Sequence, residues 1–264
     1  MQETTRIPTT RGIVPDIPCD RFSDEGWTRT AVPVPEEASV VLYVNQQELV
    51  TIMCTPSKLN CLVFGFLYAE GIISGLEDVA SMRVCDDESE VDVRLMNAEY
   101  KAPTLRTLTS GCGGGAAFNV AAMKVESDLV VTPADVFSLM KQFQEKMELY
   151  RLSGGVHASA LCDARDLLVV SEDIGRHNTL DKILGECLLM GIPTRDRLLL
   201  STGRVSSEML IKASRMQVPI VVSRTSPTGR AVSLARDLGI ALVGYARGNR
   251  LSVYSHPERL GRLP

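Results

Sequence analysis

The segment "TSGCGGG", Thr109 to Gly115, sets a single cysteine, Cys112, among four glycines with no apolar neighbour to bury it. A packing cysteine sits among apolar side chains and is inert, whereas a working one must be reachable and partly ionised. Glycine permits backbone angles that other residues resist and leaves room for another molecule to approach. The loop therefore suits a reachable, working thiolate, and equally a tight turn that happens to hold a cysteine. A free thiol with a pKa of about 8.5 is only slightly ionised at neutral pH, so a nearby cation such as Lys101 or Arg106 would sharpen its reactivity.

A second constellation is basic. Four runs read as β-strands are followed by "SEDIGRHN", "STGRVSS", "SRTSPTGR" and "YARGNR", which together carry Arg176, Arg204, Arg224, Arg230, Arg247 and Arg250. Hydroxyls at Ser201, Thr202, Ser223, Thr225, Ser226 and Thr228 are interleaved with glycines such as Gly203 and Gly248. In open α/β sheets ligands bind beyond the carboxyl ends of the strands. Arginine forks, hydroxyls and helix N-termini suit phosphate. The pattern predicts one cleft for a polyanionic, nucleotide-like ligand; the plainer alternative is a set of surface ion pairs. His177, between Arg176 and Asn178, reads as a ligand contact or general acid, with Asp181 and Lys182 one turn on to orient it or its loop. His157, after a glycine pair and before an apolar run, reads as structural, and His256 is left unassigned.

The remaining composition bounds the chemistry. Seven cysteines, at 19, 54, 61, 85, 112, 162 and 187, include no C-x-x-C pair and stand beside only three histidines. A disulfide framework or structural zinc site is therefore not expected. Cys54, Cys61 and Cys187 fall in apolar or mixed stretches and read as packing residues. A net charge of −4 disfavours nucleic acid or an anionic membrane as the main partner. No run approaches the ~18 apolar residues of a membrane span. The opening "MQETTRIPTTRG" lacks the apolar core of a secretory signal, so the expected location is cytoplasmic.

These residues need elements to position them. Residues 1–30 are polar and proline-dotted and read as an extended or disordered arm. Residues 31–125 read as a small α+β domain: a hairpin around Asn45-Gln46-Gln47, a helix with Leu59, Leu62, Val63, Phe66 and Leu67 on its apolar face, a strand in "VCDDESEVDVRLM", and the Cys112 loop at its end. Residues 126–264 alternate strand and helix. Thr132 before Pro133 caps a helix through "TPADVFSLMKQFQEKMELY". A helix carrying Leu180, Ile183, Leu184, Cys187 and Leu188 inward stops at Gly191. Further helices are read at Val205–Met216 and Pro227–Leu238. Continuous apolar strands between helices predict a parallel or mixed α/β sheet covered on both faces.

Taken in order, "GGVHASAL", "EDIGRHNTLDKILG", "STGRVSSEMLIKA", "VPIVVSRTSPTGRAVSLA" and "LVGYARGNRLSVYSHPERL" resemble the formate dehydrogenase accessory sulfurtransferase (FdhD) family, and "VNQQELVTIMCTPSKLNCLVFGFLYAEGII" is similar to that family's opening domain. The resemblance spans about residues 35 to 260. It implies a cytidine-deaminase-like α/β domain with a smaller N-terminal α+β domain. It also implies a relay in which a cysteine desulfurase loads persulfide sulfur onto a loop cysteine, here Cys112. That sulfur passes to a molybdenum or tungsten bis-guanine-dinucleotide cofactor destined for formate dehydrogenase. The family's cofactor-binding stretch matches Tyr245, Ala246, Arg247, Gly248, Asn249 and Arg250. The H-x-E and P-C-x-x-C zinc signatures of deaminases are absent, so deamination is not expected. The family's loop usually reads C-G-x-C-G; here Gly115 or Thr109 stands where a second cysteine would be. A cofactor-binding chaperone without sulfur transfer is the alternative, and a nucleotide-binding regulatory domain a third reading. A homodimer is compatible with the chain.

Overall fold

The computed structural model describes residues 11–100, 106–108, 116–118 and 121–262. Residues expected as an unpaired arm instead pair antiparallel as β1 (Ile13–Ser23) and β2 (Gly26–Pro35). The four prolines that disguise this hairpin are tolerated because a two-stranded ribbon consists of edge strands, where a missing ladder donor costs little. Its faces are both largely exposed, so no period-two burial pattern marks it. Phe22 and Trp27 pair at its tip, with ring centroids 5.2 Å apart.

β3 (Ala38–Val44) and β4 (Gln47–Cys54) are joined by Asn45 and Gln46, both at positive φ, as a twisted two-residue turn requires. α1 (Leu59–Ala69) follows, then β5 (Val79–Val84) and β6 (Glu90–Leu95). The sheet order is β4-β3-β6-β5. Leu42, Leu49, Val91 and Val93 meet Leu62, Val63 and Leu67 of α1 in its core, where Cys54 is also buried. A short antiparallel ribbon, β7 (Arg106–Leu108) with β8 (Ala116–Phe118), brackets residues 109–115 in sequence.

α2 (Pro133–Lys146) begins as expected: Thr132 Oγ1 accepts the Asp135 N–H while Asp135 Oδ2 accepts the Thr132 N–H. The single helix predicted through Tyr150 breaks at buried Met147, whose ψ is 91°, and restarts as α3 (Glu148–Ser153). The break is fixed from outside the segment, because the Glu172 carboxylate accepts the N–H groups of Leu149 and Tyr150.

The remaining elements are β9 (His157–Cys162), β10 (Leu167–Asp173), α4 (Arg176–Met190), β11 (Leu198–Ser201), α5 (Ser207–Arg215), β12 (Ile220–Ser223), α6 (Gly229–Leu238), β13 (Ala241–Arg247) and β14 (Arg250–Ser255). α5 and α6 start two residues later than the apolar period suggests. Ser206 and Thr228 act as N-caps, and Val205 pairs with Pro227 in a parallel bridge. The six strands form one mixed sheet in the order β10-β9-β11-β12-β13-β14. Leu180, Ile183, Met209, Leu210, Ala231 and Ala235 of α4–α6 cover one face against Leu161, Leu199, Val221 and Leu242. Val136, Leu139, Met140 and Phe143 of α2 cover the other. At the outer edge of β10, the carbonyls of Val170 and Glu172 accept hydrogen bonds from Lys58 and Lys182. Among the described residues no helix is long and apolar enough to cross a membrane.

α1 lies directly on α4, and glycine makes the crossing tight. A Cβ on Gly65 would come 2.6 Å from the Asp181 carbonyl carbon, and one on Gly185 would come 2.9 Å from Cys61 Cα. Three lysines make four ion pairs around the crossing. Lys182 and Asp173, both fully buried, are 2.6 Å apart. Lys212 sits between Asp181 (2.6 Å) and Glu70 (3.4 Å), and Lys58 meets Glu186 at 2.6 Å. Asp181 and Lys182 thus hold the junction together; neither is bonded to His177, but Lys182 pairs with Asp173, which accepts the Gly175 N–H and so steadies the loop leading into His177.

Candidate functional site

Strand direction decides where the arginine loops go. β10 and β11 are each antiparallel to β9 between them, and β11, β12 and β13 are mutually parallel. The carboxyl ends of β10, β11, β12 and β13 therefore lie along one sheet edge, as does the start of the reversed strand β9, His157.

Backbone bonds lace these ends into a continuous rim. The Thr202 N–H donates to the Ala158 carbonyl (2.9 Å), Arg224 N–H to Ser201 O (3.0 Å), and Tyr245 N–H to Thr225 O (3.1 Å). Val205 N–H donates to Ser226 O and Thr228 N–H to Val205 O. Arg247 Nε adds a bond to the Arg224 carbonyl at 2.6 Å.

The predicted contacts divide into two groups along the rim. At the β13–β14 turn, Tyr245, Arg247, Gly248, Asn249 and Arg250 line an open depression of about 700 Å³. Tyr245 is a non-glycine residue at positive φ (53°), a conformation that large side chains rarely adopt, and its ring is half exposed. Ala246 is buried beneath it, packed on the α2 side of the sheet. At the far end of the rim, Arg176 is buried beside Gly203 and His157. A Cβ on Gly203 would lie 3.1 Å from Arg176 Cβ and 3.4 Å from His157 Nδ1, so the glycine keeps the three together. His177 reaches Ser206 Oγ at 3.3 Å and Glu208 Oε2 at 3.1 Å. The His177 bond holds the Glu208 carboxyl below its ordinary pKa. Arg204 is exposed in the same loop.

Three predicted ligand contacts turn inward instead. Ser201 is fully buried, its Oγ accepting from the Gly203 N–H and from Ser159 Oγ. Ser223 is fully buried too; it donates to the Gly203 carbonyl, and its Oγ accepts the Thr225 N–H and lies 3.1 Å from the Thr225 hydroxyl. Asn178 donates to the Met53 carbonyl and to Asp173 Oδ1, which ties α4 to β4. These groups fix the shape of the rim, and the side chains left exposed along it include Arg204, Tyr245, Arg247 and Arg250. A strand pattern cannot tell an inward hydroxyl from an outward one at its last residue.

His157, read from sequence as structural, stands at the same edge. Burial pushes its imidazole pKa down, and the positive charges of Arg176 and Arg204 push it further. It is thus a neutral group beside two arginines at physiological pH. The signal that sequence reasoning missed is that β9 runs against its neighbours, which brings its first residue, not its last, to the rim. His256 is bound to Glu258 and the Arg236 carbonyl near the end of the chain. Cys112 and Lys101 lie outside the described residues. Among the described residues no group of three or more histidine, cysteine or acidic side chains is arranged to hold a metal.

The sequence profile described as the FdhD/NarQ family matches residues 35–261. A Bacillus pumilus protein named sulfur carrier protein FdhD is 39% identical over 248 residues, covering 91% of this chain and 95% of that one. A Bacillus subtilis protein of the same name is 38% identical over 232 residues, covering 85% and 88%. A crystal structure of a candidate formate dehydrogenase accessory protein from Desulfotalea psychrophila superposes with a TM-score of 0.81 at 26% identity, over 94% of this chain and 99% of that one.

Proposed function

The chain belongs to the FdhD/NarQ family, and on that footing we propose that it is a sulfur carrier serving formate dehydrogenase, accepting persulfide sulfur on Cys112 from a cysteine desulfurase and passing it to a molybdenum or tungsten bis-guanine-dinucleotide cofactor. The relatives' names support sulfur carriage, and the likeness to an accessory-protein structure supports formate dehydrogenase as the client. The observation that carries the nucleotide end of the reading is the laced rim, which presents Arg247 and Arg250 in an open depression. Arginine forks on a fixed frame suit the diphosphate groups of such a cofactor, which is cargo and not a resident group.

In the first step the Cys112 thiolate attacks the outer sulfur of the desulfurase persulfide. The desulfurase S–S bond breaks, the desulfurase cysteine leaves as a thiolate, and the outer sulfur stays on Cys112 as a persulfide. When an electron pair of the acceptor attacks that outer sulfur, the Cys112 S–S bond breaks and Cys112 leaves as the thiolate, so one cysteine suffices for the cycle. A loop with a single cysteine also favours a specific second reading, a chaperone that holds the cofactor without sulfur chemistry.

Mass spectrometry after incubation with a cysteine desulfurase and free cysteine separates the two. The sulfur-carrier reading expects one reducible sulfur on Cys112 and none on buried Cys54 or Cys187, with Cys112→Ser unable to support formate dehydrogenase maturation. An unmodified Cys112, with full maturation by Cys112→Ser, overturns it in favour of the chaperone.

A further inference from the structure

A cavity of about 330 Å³ opens at the free edge of the six-stranded sheet, beside β10. It lies four strands, about 20 Å, from β13 and shares no residue with the depression at the β13–β14 turn. Separate segments line it: Arg11 ahead of β1, Lys58 at the start of α1, Lys146 at the end of α2, and Val170, Ser171 and Glu172 of β10.

The strand edge there presents donors. In an antiparallel pair the N–H and C=O of one residue point to the same side. The carbonyls of Val170 and Glu172 point away from β9, where Lys58 Nζ and Lys182 Nζ donate to them at 3.0 and 3.4 Å. The N–H groups of the same two residues therefore point outward as well. An edge whose carbonyls are taken by ammonium groups cannot pair with another strand, which needs donors and acceptors alike. It suits a ligand that only accepts.

The side chains agree. The Ser171 hydroxyl is buried and has no hydrogen-bond partner. α1 begins without a side-chain cap and with no acidic residue in its first turn, so the positive end of its dipole is uncompensated. Arg11 and Lys58 are paired with Glu88 and Glu186, whereas exposed Lys146 makes no ion pair among the described residues. The Glu172 carboxylate is taken by the Leu149 and Tyr150 N–H groups, which leaves exposed Glu148 as the uncommitted carboxylate lining the cavity.

We propose that this cavity binds a small oxyanion of the phosphate class, which accepts from the Val170 and Glu172 N–H groups and the Ser171 hydroxyl, has Lys146 as its counter-charge, and clasps α1 to the free edge of the sheet. Oxyanions carry several acceptor lone pairs, and their hydrogen bonds from ammonium and backbone donors are charge-assisted. Free phosphate and a phosphoryl group on a larger molecule share this chemistry. The site is independent of the arginine rim and of the sulfur-carrier reading.

The test is calorimetric titration of the full chain with inorganic phosphate and, separately, with glycerol 2-phosphate at constant ionic strength. Binding of the first alone identifies a site for the free ion, and binding of both a site that also takes a phosphoryl group on a carrier. Lys146→Ala should weaken phosphate about tenfold, the scale of one charge-assisted hydrogen bond, and Glu148→Gln should tighten it. Both positions are exposed, so the fold survives, which circular dichroism checks. Ser171→Ala supplies a readout that a packing role would not move. Without phosphate it should raise Tm slightly, because a buried hydroxyl with no partner is destabilising. With phosphate it should lose much of the rise in Tm that the ion gives the unaltered protein. If phosphate binds but only Arg250→Ala weakens it, the ion sits at the rim and the edge site is wrong. Binding unchanged in Lys146→Ala and Ser171→Ala, or no phosphate binding at all, also overturns the proposal.

Discussion

Replacing Gly185 with alanine should destabilise the protein more than a single added methyl would on an open helix. The new Cβ would lie 2.6 Å from the Cys61 carbonyl carbon and 2.9 Å from its Cα. Carbon atoms in good contact stand about 3.5–4.0 Å apart, so α1 and α4 would have to separate by roughly 1 Å. Backbone atoms are in the way, and no flexible side chain can swing aside. A gap of that size forfeits a quarter to a half of the dispersion attraction for each contact across the crossing. Overpacking of this kind costs about 3–5 kcal/mol at a site unable to relax, offset by about 1 kcal/mol from alanine's better helix propensity. The net, about 2–4 kcal/mol, corresponds to a fall in Tm on the order of 10 °C for a chain of this size. Thermal unfolding followed by circular dichroism, with urea midpoints at unchanged slope, gives the measurement. Gly229→Ala is the control, since nothing lies within 4 Å of a Cβ there, and it should be neutral or slightly stabilising. A Gly185→Ala protein within about 0.5 kcal/mol of the original would show that the helices are not in contact and refute the argument.

Asp173→Ala should cost about 3–5 kcal/mol, because it strands the buried Lys182 ammonium and leaves the N–H groups of Thr55 and Gly175 without their acceptor; urea unfolding reads it. His157, whose pKa is depressed by burial and then by Arg176, stays neutral in the folded protein while the unfolded chain takes up a proton near pH 6.5. Its contribution to stability is therefore complete above that pH and declines as the pH falls toward the folded value. His157→Gln should flatten that part of the urea-midpoint profile between about pH 7.5 and 5, and an unchanged profile would count against a buried neutral imidazole. Alkylation with iodoacetamide at pH 8 should spare Cys54 and Cys187, whose thiols burial raises to about 12, and Cys162, raised further still by burial. Cys112 should react first, and the half-exposed Cys19 and Cys85 after it; labelling of Cys54 in the native protein would contradict its packing.

Much of the sheet domain was legible because its signals are local. Continuous apolar strands, the Thr132 cap and the Gly191 stop each act within a few residues of where they stand. What escaped depends on partners far along the chain. The break at Met147 is made by Glu172, some 25 residues later. The roles of Asp181 and Lys182 are set by Lys212 and Asp173. The β1–β2 hairpin has two exposed faces and so lacks the alternation that betrays a strand. In the site, the arginines were found because charge on a strand end is unusual. The inward turn of Ser201 and Ser223 and the arrival of His157 at the rim follow from topology and not from residue type.

The laced rim also restricts how the protein can change. Because Arg224 closes on Ser201, Tyr245 on Thr225, and Val205 on both Ser226 and Thr228, one extra residue in any of these loops would put its neighbours out of step. Loop length is therefore fixed collectively, and a new ligand preference cannot come from inserting or deleting a segment there. It must come by exchanging side chains at positions whose backbone is held but whose surface is open, such as Arg204, Tyr245 and Arg250. Such exchanges leave the ordering of the rim undisturbed before any ligand arrives, so each new specificity starts from a frame already in place.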